Sequence, residues 1–179
     1  MKAILLRTFA LAYTVFVLSM TYLILPLEAY LKKKGSYKFA IRTLCYLFLA
    51  GILYLIWKRR HILTPIRIVC TLVVIALYVV HYLRVSFEIE RAHLVEYSLL
   101  AIILNRALAL RFSKLRNLVD TALISILIGC LDEFIQRFIP GREGTIGDVY
   151  LGAISSILGL ALTLIFQNNS IKSLEGLAG

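Results

Sequence analysis

Acidic residues are scarce in this chain: 10 Asp and Glu stand against 20 Lys and Arg in 179 residues, and charged residues amount to only 17%. Proline occurs three times and tryptophan once. The three cysteines, Cys45, Cys70 and Cys130, lie singly inside apolar runs, with no CxxC pair and no even set of loop positions. That excludes a readable disulfide framework or zinc knuckle and leaves them as expected small core residues. GxSxG, HExxH, Walker and GxGxxG patterns are also missing, so a soluble-type hydrolase, a zincin or a nucleotide enzyme has no support.

What fills the chain instead is hydrocarbon. Hydrophobic residues make up 60% of it and the mean hydropathy is +0.86, well beyond the roughly 45–50% apolar content of a soluble domain. The net charge of +10 would by itself suit nucleic acid, but the basic residues fall in short clusters between apolar runs. Such clusters mark a polytopic membrane protein whose loops set its topology, so nucleic acid is not an expected partner and the lipid bilayer is. The expected fold is all-α: a transmembrane helical bundle of about six helices, with five as the alternative.

A helix needs about 20 mostly apolar residues to cross a bilayer. Six stretches qualify in length, near 5–27, 39–57, 66–83, 92–110, 118–139 and 149–166. The uncharged run at 9–27 is longer than a signal-peptide core of roughly 7–15 residues and lacks a small-residue cleavage site, so it reads as a retained first helix. Trp57 before Lys58, Arg59 and Arg60 has the pattern of an interfacial anchor beside a basic cluster. The fourth stretch carries His93, Glu96, Asn105 and Arg106, and the fifth carries Asp120 and the DEFIQR cluster, which makes both weak by hydropathy. The expected organisation is three N-terminal spans in 1–90, a three-span core in 91–166 and a polar tail in 167–179. Six spans put eleven Lys and Arg on the side of both termini and nine on the other, with only two each in the third-to-fourth and fifth-to-sixth loops. Both termini are therefore expected in the cytoplasm.

In an up-and-down bundle the polar residues of the last three helices meet at one membrane face: His93 and Glu96 opening the fourth, Asp132 to Arg137 ending the fifth, Asp148 opening the sixth. His93, Glu96, Tyr97 and Leu100 share one face by their i, i+3, i+4, i+7 spacing. Asp132 with Gln136 and Glu133 with Arg137 are i, i+4 pairs on adjacent stripes, and Pro140 with Gly141 ends the fifth helix. Thr145 and Asp148 read as a capping box, and Asp148, Gly152, Ser155 and Gly159 form one stripe whose small members permit close helix approach. An ionised group deep in lipid costs about 2.5–3.5 kcal/mol on insertion scales, so this convergence implies a shared, partly hydrated pocket. Its expected members are His93, Glu96, Tyr97, Asp132, Glu133, Gln136, Arg137, Arg142 and Asp148. The bland alternative is a set of interfacial anchors that pair locally and snorkel to water.

The segments HLVEYSLLAIILNRA (93–107) and DEFIQRFIPGREGTIGDVYLG (132–152), with Gly159, resemble the VanZ-like family of bacterial membrane proteins, named for an accessory protein of teicoplanin resistance. The family pattern is HxxEYxxL, then ExxQxxxPGR, then an Asp opening the last helix. His93, Glu96, Tyr97, Glu133, Gln136, Pro140, Gly141, Arg142, Asp148 and Gly159 match it, whereas Gly152 stands where the family has Asn and Ser155 where it has Gly. The resemblance spans about 91–166. It implies a multi-pass protein of the bacterial inner membrane and a setting in the cell envelope, without a defined reaction.

The leading expectation is a pocket that binds or acts on an envelope component, a lipid-linked cell-wall intermediate or a glycopeptide, with Arg142 suited to a phosphate or carboxylate. Whether the chain is an enzyme stays open, and neither a cofactor nor a metal is expected. A second hypothesis starts from Asp132, Glu133 and Arg137, which fit the D/E-E-xxx-R pattern of CAAX-processing-type intramembrane proteases, although only His93 is placed to complete a metal site. In a third, the chain is a non-catalytic subunit whose Gly152, Ser155 and Gly159 pack against a membrane-protein partner.

Overall fold

The computed structural model describes residues 2–85, 88–109, 114–140 and 142–167. Gly141, Arg111 and the tail expected at 167–179, apart from Gln167, lie outside the described residues. The chain forms six α-helices, α1 (Lys2–Lys33), α2 (Tyr37–Lys58), α3 (Pro65–Arg84), α4 (Glu88–Leu108), α5 (Lys114–Gln136) and α6 (Ile146–Phe166), with a 3-10 turn at Arg60–Ile62 and no strand among the described residues. The expected helical bundle is thus the observed fold.

Local chemistry sets the helix ends. Gly35, at φ +69, closes α1 in a Schellman turn, in which Ser36 N–H donates to the Leu31 carbonyl and Gly35 N–H to that of Lys32. Thr64 caps α3 by accepting from Arg67 N–H, with Pro65 at the first helical position, where its missing N–H costs nothing. α1 bends by 56° between Met20 and Leu25, where Pro26 removes a backbone donor and crowds the preceding turn.

α2, α3 and α6 are each long and apolar enough to cross a membrane, and bent α1 makes a fourth if its two arms count as one span. α4 and α5 are not, and their packing shows why they need not be. α4 sits at the centre, with its largest interface on α6 and further ones on α1, α2 and α5, while α3 packs mainly on α6. Lipid therefore meets chiefly the outer helices, whose Leu47, Leu53, Val69 and Leu72 are exposed. α5 is built inside out: Asn117, Thr121, Ser125, Gly129, Asp132, Glu133 and Gln136 are buried, while Leu115, Leu123, Leu127 and Phe134 face outward.

Two apolar clusters frame the centre, one around Val17, Tyr97, Leu100 and Leu104 and one around Ile52, Val74, Leu158 and Phe166. Between them α4 and α6 touch through backbone. A Cβ on Gly159 would lie 2.5 Å from the Ser98 carbonyl oxygen and 2.9 Å from its Cα, so only glycine permits this approach. Ser98 Oγ reaches the Ser155 carbonyl at 2.9 Å and the Tyr78 hydroxyl at 2.6 Å. The Gly152, Ser155, Gly159 stripe, read from the sequence as permitting close helix approach, makes that approach inside the chain, which leaves it buried and unavailable as the partner-docking face of the third hypothesis. The cysteines also depart from expectation: Cys70 and Cys130 are exposed on apolar outer faces and only Cys45 is half-buried, because a small thiol is as soluble in lipid as in a core.

Candidate functional site

The N-termini of α4 and α6 and the C-termini of α1 and α5 meet at one end of the bundle. There α4 presents His93 between two carboxylates: Nδ1 is 3.5 Å from Glu96 Oε2 and Nε2 is 3.9 Å from Glu133 Oε1. The His93 ring lies 5.6 Å from that of Tyr97, one turn along the same face. Tyr97, 1% exposed, turns inward over Gly152 and donates its hydroxyl to Asp132 Oδ2 at 2.8 Å.

α5 supplies the acids and their clasp. Gln136 Nε2 donates to Asp132 Oδ2 at 3.2 Å and to Glu133 Oε1 at 3.0 Å, so one amide holds both carboxylates. Glu133 Oε2 accepts the backbone N–H of Thr145 at 3.1 Å, which ties the loop before α6 to the site. The loop is drawn so close that a Cβ on Gly144 would collide with the Glu133 carbonyl. Half of the expected capping box forms: Thr145 Oγ1 accepts from Asp148 N–H at 3.1 Å and donates to the Asp148 carboxylate at 2.8 Å, while the Thr145 N–H that a full box would give to Asp148 goes to Glu133. Asp148 thus acts as a helix cap at the edge of the cluster.

Two arginines behave differently from expectation. Arg137 does not join the pocket: it is exposed and its Nε donates to the Gly144 carbonyl at 3.4 Å. α5 ends at Gln136, so Arg137 has left the helix on which an i, i+4 pair with Glu133 depends. Arg142 is at the pocket, but its carboxylate comes from the chain itself. Its Nη2 donates to Glu28 Oε2 at 2.7 Å, and Glu28 also binds Lys32 at 2.6 Å. Glu28, buried on α1, is the member that spacing arguments missed, because its partner lies 114 residues away. No local periodicity reports such a pair.

From this polar end a groove of about 310 Å³ runs toward the middle of the bundle between α1, α2 and α4. His93, Glu96, Gln136 and Arg142 line its polar end, and Phe16, Met20, Ile41, Leu44 and Leu99 its apolar walls. Arg142 Nε is buried with no partner among the described residues and remains a free donor at the mouth. Of the carboxylates at this end only Glu96 lines the groove, Glu28 being held by Arg142 and Lys32; Glu96 can accept from a hydroxyl, amide or ammonium group, and Arg142 Nε can donate. No three His, Cys, Asp or Glu side chains among the described residues converge as metal ligands. Asp132 and Glu133 are instead engaged by Tyr97, Gln136 and Thr145. Compared with family models, curated proteins and solved structures, the chain finds no match.

Proposed function

We propose that the chain is a VanZ-like protein of the bacterial inner membrane, with both termini in the cytoplasm, that binds an amphiphilic envelope component at the His93 pocket. The ligand class is a lipid-linked cell-wall intermediate or a lipid-bearing glycopeptide. One observation carries this reading: the groove joins an apolar half along Phe16, Met20 and Leu44 to a polar end at His93, Glu96 and Arg142. Such a cleft matches a hydrocarbon chain attached to a sugar or peptide headgroup, whose hydroxyl and amide protons meet Glu96. The phosphate linkage of a lipid-linked intermediate would meet Arg142 through its free Nε, since Nη2 is held by Glu28. His93, held between Glu96 and Glu133, is the group placed to exchange a proton with the ligand.

The test uses purified full-length protein in neutral detergent. Thermal unfolding is followed with a lipid-bearing glycopeptide, its deacylated form, and a lipid-linked wall intermediate. A ligand that binds only the folded state raises the midpoint with concentration. Protection by an acylated ligand, not by the deacylated headgroup, and its loss in Glu96→Ala is the expected result. No protection by any amphiphile, or equal protection in Glu96→Ala, removes the proposal.

A further inference from the structure

A second cleft opens at the opposite end of the bundle, between α2, α4 and α6, and its volume is about 1100 Å³. Phe48, Ile52, Ile102 and Phe166 are among its walls, and Arg59 and Arg106 stand at its end with Asn105 and Gln167. No carboxylate lines it, and neither arginine has an ion-pair partner among the described residues. Asn105, 3% exposed, has its Nδ2 unpartnered, although its own backbone carbonyl accepts from Asn117 Nδ2 at 3.0 Å. Leaving a buried amide donor unmet costs roughly 1–3 kcal/mol, and a ligand oxygen in the cleft competes for it with the equally unpartnered Asn117 Oδ1.

We infer that this cleft is a binding site for one anionic phospholipid of the adjacent leaflet, its phosphate held by Arg59 and Arg106 and its acyl chain laid along α4. Length supports the assignment: Val95 to Arg106 covers about 16 Å of helix, close to half of the ~30 Å hydrocarbon core. Charge supports it too, since this end carries two unneutralised guanidinium groups, which bind phosphate oxygens in a fork. The His93 groove differs in charge, with its arginine neutralised by Glu28 and the Glu96 carboxylate in its lining. The two clefts share Leu44, Val95 and Leu99, so the inner ends of their occupants meet near mid-membrane. This site stands independently of the function proposed above.

Native mass spectrometry of the full chain in neutral detergent tests it, with phosphatidylglycerol, phosphatidylcholine and inorganic phosphate as probes. One phosphatidylglycerol per chain is expected, held in preference to phosphatidylcholine, with no competition from millimolar phosphate. Arg59→Gln with Arg106→Gln lowers the affinity roughly ten- to thirtyfold. Gly51→Leu keeps both charges and fills the cleft, because a Cβ there meets nothing within 4 Å. It is expected to abolish retention without loss of folded protein. Equal retention of both phospholipids, unchanged retention in either variant, or displacement by phosphate overturns the inference.

Discussion

Arg142 Nη2 lies 2.7 Å from Glu28 Oε2 and so pins the loop before α6 to α1 across 114 residues of chain. Both side chains are nearly buried, at 12% and 11% exposure. Removing one partner of a buried pair strands the other charge and costs about 3–5 kcal/mol. The two removals are not equivalent here. Glu28 keeps Lys32 when Arg142 is lost, whereas Arg142 has no second ion pair among the described residues when Glu28 is lost. Glu28→Ala is therefore expected to lower the unfolding midpoint more than Arg142→Ala, and the charge swap Glu28→Arg with Arg142→Glu to recover part of the loss. Equal midpoints for the two single variants would contradict this asymmetry.

Gly159 and Gly51 offer a matched pair of substitutions. At Gly159 an added Cβ meets Ser98 backbone, which has no rotamer to move aside, so Gly159→Ala pushes α4 and α6 apart. At Gly51 the space is open and the change supplies a better helix former, worth up to about 1 kcal/mol. Purified yield and thermal midpoint are expected to fall sharply for Gly159→Ala and to hold or rise for Gly51→Ala. Gly152→Ala falls between, since its Cβ meets the Tyr97 ring at 3.2 Å and a ring can shift by tenths of an ångström.

Tyr97 and Asp132 carry the hydrogen bond that joins α4 to α5 inside the cluster. Interhelical hydrogen bonds in membrane proteins average only about 0.6 kcal/mol by double-mutant cycles, with a maximum near 1.7. A fully buried acceptor argues for the upper end of that range. Tyr97→Phe with Asp132→Asn forms the cycle, and a coupling of about 1–1.7 kcal/mol in detergent unfolding is expected. A coupling indistinguishable from zero would mean that Gln136 alone satisfies Asp132.

The helices were legible because lipid leaves a coarse signature: long apolar runs broken by Pro, Gly and charge. Thr145 as a cap and the gathering of His93, Glu96, Asp132, Glu133 and Gln136 followed from spacing, since helix periodicity turns sequence distance into a shared face. Arg137 was misplaced because that logic holds only inside a helix, and α5 ends one residue earlier. Glu28 was invisible because nothing near it in sequence announces a partner on a distant loop. The α5 stripe of Asn117, Thr121, Ser125 and Gly129, spaced at i+4, was readable in principle; the adjoining apolar residues hid it, because on an inside-out helix they belong to the lipid face.

Orientation is the property on which the proposed ligand most depends, and single cysteines can read it. Glu143 is exposed on the loop beside the pocket, and Lys114 is exposed at the other end of the bundle, where α5 begins. The background must lack Cys45, Cys70 and Cys130. Cys70 and Cys130 are exposed and leave no cavity, while Cys45, whose Sγ lies 3.7 Å from the Arg91 carbonyl, is best replaced by serine to keep a donor there. A membrane-impermeant thiol reagent on intact cells is expected to label Glu143→Cys and spare Lys114→Cys, which puts the pocket at the outer face, within reach of an extracellular glycopeptide. The reverse pattern would remove that glycopeptide as a direct ligand and restrict the His93 pocket to lipid precursors of the inner leaflet.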